Sequence, residues 1–413
     1  MTIVTKIIDQ AIGVLLFAYL ILSIIIPSSG YLILGVLILS LIGLMIRRYS
    51  LPLDKDEKII FFSFIAYFLS ALLNSYLFNI DIRELDSVSR FILVLPIFLY
   101  IRKSSLQTEF IAYGFAVGAI IFGVGLISYK LMNINLFEFS KHKGMITFYA
   151  GIFSISSLFF LNKKRNYLSL IIFITAGFLG ISAMLLAGGR GVWIAAIFSI
   201  FILIVLNPNY WNKLERSFVL FIFVFLFIIS FAIPNSGTFN RLEKAYTGIT
   251  EFISKGDEAR DYAKGFSVMS RLEMWKAGVL ILKDNLIAGV GLNNFKANTK
   301  KLIQEKKISP EIGSFSHPHG QFITTLVEQG ILGLIVLFFV IYLPFRVGLK
   351  VKNIRSKDSM PYIIILTTTL FYFFYSFTNG IYAHQNTTLF YALIISVASA
   401  LLKRDSRQNY PSE

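Results

Sequence analysis

Long apolar runs separated by short charged segments set the pattern of this chain. Runs of about 18 or more apolar residues are long enough to cross a bilayer as helices, and this rule predicts about twelve spans. They lie at 7–26, 30–46, 59–78, 88–101, 108–131, 145–161, 167–187, 191–206, 217–234, 321–344, 361–379 and 385–402. Arg90 and Pro96 interrupt the fourth. The seventh and eighth meet at Gly188-Gly189-Arg190-Gly191, a tight turn with a charge at its tip. The fold class expected is an all-α polytopic membrane protein. Residues 1–234 carry nine spans, 235–320 form one large polar loop, and 321–413 carry three spans and a tail.

Within the loop the pattern changes to that of an amphipathic helix, about 270–287. Ser270 followed by Glu273 is a capping-box pattern. Leu272, Trp275, Val279, Leu282 and Leu286 recur at alternating spacings of three and four, predicting one apolar face. Arg271, Lys276, Lys283 and Asp284 lie around the remainder, and Gly289 and Gly291 end the helix in a turn. Such a helix would lie on the membrane surface or pack over the bundle as a lid.

Composition agrees with a membrane protein. The 413 residues are 56% hydrophobic and 15% charged, where a soluble domain would be roughly a quarter charged. The mean hydropathy is +0.70. The net charge of +16 follows the topology. With the N-terminus inside, inside loops carry clusters such as Arg47/Arg48, Arg102/Lys103, Lys163/Lys164/Arg165, Lys350/Lys352/Arg355 and Lys403/Arg404. The short outside loops carry only Arg83, Arg90, Lys130, Lys141, Lys143 and Arg190. That asymmetry orients the protein and leaves no need for a nucleic-acid partner. The loop 235–320 and all four histidines (His142, His317, His319, His384) then fall outside. There is no cysteine, which excludes disulfides and thiol chemistry. No cleavable signal peptide is evident, and Ile7–Ile26 reads as a retained span.

Few residues outside this apolar frame carry chemistry. Arg190 stands between glycines at the end of an apolar span. It is either an interfacial anchor or a functional charge at membrane depth. Arg271, in the first turn of the loop helix, is either a solvated cation or a phosphate ligand beside free backbone N–H groups. The imidazoles of His317-Pro318-His319 suit general-base work, and the proline is expected to send the two rings different ways. Ordinary loop histidines, or a metal site completed by His142 or His384, are the alternatives. Glu328 is expected to hydrogen-bond a neighbouring helix. Asp54-Lys55-Asp56, the one D-x-D, lies in a basic inside loop and reads as a solvated face.

Together these motifs resemble the O-antigen ligase and polymerase superfamily of bacterial membrane glycosyltransferases. The resemblance rests on Ser270-Arg271-Leu272-Glu273-Met274-Trp275, Gly289-Val290-Gly291, His317-Pro318-His319 and Glu328-Gln329-Gly330-Ile331-Leu332-Gly333, with Arg190 matching the arginine that opens the eighth span. It implies a GT-C-type architecture and a glycan donor on undecaprenyl pyrophosphate. In ligases the acceptor is a sugar of lipid A–core, and transfer occurs at the periplasmic face of the inner membrane, with no metal or other cofactor. Arg190 and Arg271 would bind the donor pyrophosphate, and His317 and His319 would complete the catalytic set, with His319 as the base. Ligases often have Asn after the second histidine, where this chain has Gly320. A ligase is favoured over a polymerase, with a protein O-oligosaccharyltransferase or a lipid-linked glycan transporter as further alternatives. A transporter usually carries midplane carboxylates, and these spans are almost free of acids.

Overall fold

The computed structural model describes residues 3–23, 29–47, 52–132, 134, 143–161, 166–187, 189–206, 213–232, 238–255, 268–350 and 360–409. Every regular element among them is helical. Among the described residues, seven helices are long and apolar enough to cross a membrane. They are α1 (Ile3–Leu22), α2 (Gly30–Arg47), α3 (Lys55–Leu77), α6 (Glu109–Met132), α8 (Tyr167–Ala187), α14 (Gln321–Lys350) and α16 (Gln385–Asn409). Shorter apolar helices are α7 (Lys143–Phe159), α9 (Arg190–Leu206), α10 (Lys213–Ala232) and α15 (Met360–Ser376). The fourth expected span is two short helices, α4 (Asp86–Leu93) and α5 (Leu95–Ile101), parted at Val94. Pro96 lies in the first turn of α5, where its missing N–H is tolerated.

The bundle is organised around α15 and α16. All but two of the residues of α15 are buried, against α7, α9, α14 and α16. Lipid-facing helices look different: α10 exposes Phe218, Phe221, Phe225 and Ile228. In a bilayer such side chains need no cover.

Charged groups gather at one end of the bundle. Asp9 pairs with Arg47 at 3.1 Å and accepts from Tyr100 Oη at 2.6 Å. Glu57 and Arg102 form a buried pair at 2.7 Å. Asp54 is the N-cap of α3 in a capping box with Glu57, and Asp56 pairs with Lys350. The D-x-D therefore caps and tethers helices, where the sequence suggested only a solvated face.

At the other end, the polar segment after α10 folds into α11 (Thr238–Lys255), α12 (Val268–Leu282) and α13 (Phe295–Gln304). It has a small core of its own, with Met274, Ile281, Phe295, Ile308 and Ile312 packed onto Val327 of α14. The amphipathic helix differs from expectation in two ways. It already includes Val268, so Ser270 is an interior residue and not the cap, and it ends at Leu282. Its buried face is Met269, Ser270, Glu273, Met274, Ala277, Gly278, Ile281 and Leu282; of the expected stripe Leu282 is buried, while Val279 is 55% exposed. Small residues at 277 and 278 let α12 lie close on α14, and this contact chose the face. Glu273, expected to close the cap, instead accepts from Ser309 N at 3.3 Å.

The joint between this segment and the bundle is a break in α14. Gly330 has φ 68°, outside the helical region, which frees carbonyls that the helix would otherwise use. Val290 N and Gly291 N donate to Val327 O and Glu328 O, both at 2.9 Å, and Ile331 N donates to Leu286 O at 2.9 Å. Gly289, at φ 71°, passes so close that a Cβ would meet Glu328 C at 2.5 Å. Both positions need glycine. Asn74 of α3 completes the joint. Its amide donates to Ala288 O at 2.9 Å and Glu328 O at 3.1 Å, and accepts from Leu292 N at 3.1 Å. Glu328 accepts from Asn293 N at 3.2 Å; it serves the loop, not the neighbouring helix that the sequence suggested.

Candidate active site

His317 and His319 reach the bundle on the segment between Ser314 and α14. Their rings lie side by side, 4.6 Å between centroids and inclined at 59°. The sequence reading, that Pro318 would part them, is corrected. His319 has φ 50°, and this left-handed turn brings its ring back beside its neighbour. Histidine is among the residues that enter that region more readily than most. His384 supplies a third ring, 6.0 Å from His317, from the short turn that joins α15 to α16. His142 lies outside the described residues.

The surroundings fix the state of these rings. Burial, with the neighbouring His319 and His384, pushes the His317 imidazole down to about 3. Burial, with the positive charge of Arg271 and with His384, pushes His319 down to about 4. Both are neutral at pH 7, well below the 6–7 expected from sequence. Ser316 Oγ and His317 Nδ1 are 3.0 Å apart. Among the described residues His317 Nε2 is buried without a hydrogen-bond partner, against Gly380, where a Cβ would meet the ring at 2.9 Å.

His319 has a side-chain hydrogen bond with Asn379, whose Nδ2 donates to Tyr375 Oη at 2.8 Å. Arg271 is the charged neighbour of both His319 and Tyr375. It is half-buried, and its Nε has no hydrogen-bond partner among the described residues. Burial lowers its pKa.

Arg190 is the first residue of α9 and half-buried. The next residue, Gly191, packs on Thr378 and on the Tyr375 ring, where a Cβ would meet Cε2 at 3.3 Å. The end of α15 therefore touches the first turn of α9 on one side and the neighbourhood of Arg271 on the other. Of the residues singled out from the sequence, Arg271 and His319 lie beside Tyr375 and Asn379, His317 lies beside His319, and Arg190 precedes the glycine that touches Tyr375. Tyr375 and Asn379 were not foreseen, since a tyrosine in an apolar span and an asparagine in a turn have ordinary structural uses. The polar turn Thr378-Asn379-Gly380, directly after the span, was the signal available.

Chemically, the site offers guanidinium groups for an anion and neutral imidazoles that can accept a proton. Among the described residues, no group of three or more His, Cys, Asp or Glu has an arrangement that could hold a metal ion.

Comparison with known proteins agrees with the motifs. A protein of Haemophilus influenzae described as uncharacterized is 26% identical over 388 residues, covering 91% of this chain and 95% of its own length. A family model described as O-Antigen ligase matches residues 175–338, a stretch containing Arg190, Arg271, His317 and the α14 break. That match supports the resemblance of the chain's motifs to the O-antigen ligase and polymerase superfamily.

Proposed function

We propose that this protein transfers a glycan from a lipid pyrophosphate to a sugar hydroxyl, at the end of the bundle that carries the histidines. The observation that carries this reading is the meeting of Arg271, His319 and the Tyr375–Asn379 pair, beside the first turn of α9 with Arg190. The donor is a glycan on undecaprenyl pyrophosphate and the acceptor a sugar of lipid A–core, as in the ligases of the superfamily. The protein is a multi-pass inner-membrane protein of GT-C type, with its site toward the periplasm. The basic groups gathered at the opposite end, Arg47, Arg102 and Lys350, support that orientation.

The acceptor oxygen attacks the anomeric carbon of the donor sugar. The new carbon–oxygen bond forms as the bond to pyrophosphate breaks. The leaving pyrophosphate takes the electron pair, and Arg190 and Arg271 neutralise its growing charge. His319 takes the hydroxyl proton. Asn379 holds the ring through a side-chain hydrogen bond, and an imidazole nitrogen acts as the base. A bound pyrophosphate offsets the charge of Arg271 and so raises the basicity of His319 when the donor is present. With the arginines supplying positive charge, the reaction needs no metal.

A polymerase of the same superfamily is the second reading. Gly320 favours it, since ligases often have Asn there. A Cβ at 320 would lie 3.1 Å from Ile323 and 3.3 Å from Phe377 O, so a larger side chain has little room. Deletion of the gene, read on a lipopolysaccharide gel, decides between them. A ligase leaves intact core without any long chains; a polymerase leaves core bearing one repeat. An unchanged ladder refutes both.

A further inference from the structure

A cleft opens at the start of α16, next to the turn that carries His384, and nothing in the mechanism above uses it. It has a volume of about 610 Å³ and is lined by Phe68 and Leu72 of α3, by Ile82 and Arg83 of the 3-10 turn before α4, by Asp86 and Ser89 of α4, and by Gln385 of α16. Gln385 directly follows His384, whose ring is 6.0 Å from His317. The cleft wall is tied to that turn: Ser87 Oγ donates to Tyr382 O at 2.6 Å and lies 3.0 Å from Thr388 Oγ1. Asn293, bonded to Glu84, ties the same wall to the α14 joint.

The lining is two-sided. Asp86 is held by Arg90 at 2.7 Å. The side chains of Arg83 and Gln385 are exposed and make no ion pair or hydrogen bond among the described residues. An unpaired guanidinium beside an amide suits an anionic sugar, for instance a phosphorylated one. The opposite wall is apolar, and it continues along α3 as a strip of exposed Phe62, Leu69, Leu73 and Tyr76. Positions 62, 69, 73 and 76 share one helix face. A polar pocket that passes into a lipid-facing strip fits a molecule with a charged sugar head and acyl chains.

We propose that this cleft binds the acceptor, an anionic glycolipid, with Arg83 and Gln385 on its head group and the Phe62–Tyr76 strip along its chains. The acceptor hydroxyl then reaches the histidines past His384. This assignment rests on the glycosyl-transfer reading, and the experiment separates the two.

Full-length protein in lipid nanodiscs is titrated with rough lipopolysaccharide, which carries core but no long chain. The wild type is compared with Arg83→Ala, Gln385→Ala and the double variant. Losing a charge-assisted contact should weaken binding about tenfold, with Arg83→Lys retaining most of it. In transfer assays with a lipid-linked glycan donor, KM for rough lipopolysaccharide should rise by the same factor, with kcat and donor KM unchanged. Equal binding by wild type and double variant overturns the cleft. So does displacement by nanodiscs of phosphatidylglycerol, which would make it a general anionic-lipid site. Binding that depends on Arg83 without any transfer by the wild type would keep the cleft and refute the reaction.

Discussion

Tyr375 is the residue through which the two arginines enter one account: it touches the first turn of α9 and has Arg271 as its charged neighbour. If both arginines neutralise the leaving group, Arg190→Ala and Arg271→Ala should each lower transfer by about 10²–10³ while the protein still accumulates in the membrane. Lysine should rescue poorly, because it lacks the planar fork. Near-normal transfer by the alanine variants would return Arg190 to an interfacial anchor and Arg271 to a surface cation. His319→Ala should cost about 10²–10⁴ in rate. The pH dependence follows from its surroundings. With the imidazoles at about 3 and about 4, donor-free protein has neutral rings throughout pH 6–8. Acceptor binding and thermal stability should be flat there. Below about 6.5, the usual histidine pKa, the unfolded chain binds protons that the folded site refuses. Stability should therefore fall as pH drops toward 4. A melting temperature that rises as pH falls from 6.5 to 4.5 would contradict this environment. The sequence singled out these four residues as candidates but could not give their state, because burial and the proximity of Arg271 are tertiary facts.

At the scale of elements, the break in α14 positions the site. It docks the glycine turn Gly289–Gly291 onto the bundle, and Asn74 bridges the two. Asn74→Ala removes three hydrogen bonds to buried backbone and should destabilise the protein by about 1–3 kcal/mol, seen as a lower melting temperature. Protease cleavage within 283–295 should increase at the same time. Unaltered cleavage there would mean that the joint does not hold the segment. Much of this was legible and some was not. Apolar run lengths gave the helices of the bundle. Glycines at 289, 291 and 330 announced a turn and a break, but nothing in sequence said that the two would pair. The α12 helix was visible from its spacing, yet the apolar stripe counted from Leu272 was only partly the buried face: Leu282 is buried, Leu272 and Trp275 are half-buried and Val279 is exposed. Close approach to α14 through Ala277 and Gly278 outweighed it, and hydropathy patterns do not register close approach. The broken fourth span was signalled by Pro96.

At the scale of the whole molecule, the charged end and the histidine end face opposite ways, and the account requires a membrane between them. Reporter fusions after Lys255 and after Arg404 should give opposite compartment signals; the same signal from both would undo the topology. Orientation matters because a lipid-linked donor and a glycolipid acceptor must meet on one face. The most direct test of the central claim is a reaction with purified protein, lipid-pyrophosphate-linked glycan and rough lipopolysaccharide, in excess chelator, followed on a gel. The account predicts long-chain lipopolysaccharide from the wild type, with loss of donor and release of lipid pyrophosphate, and almost none from His319→Ala. Full activity of His319→Ala, or a wild type that makes product only when a divalent metal is restored, would contradict it.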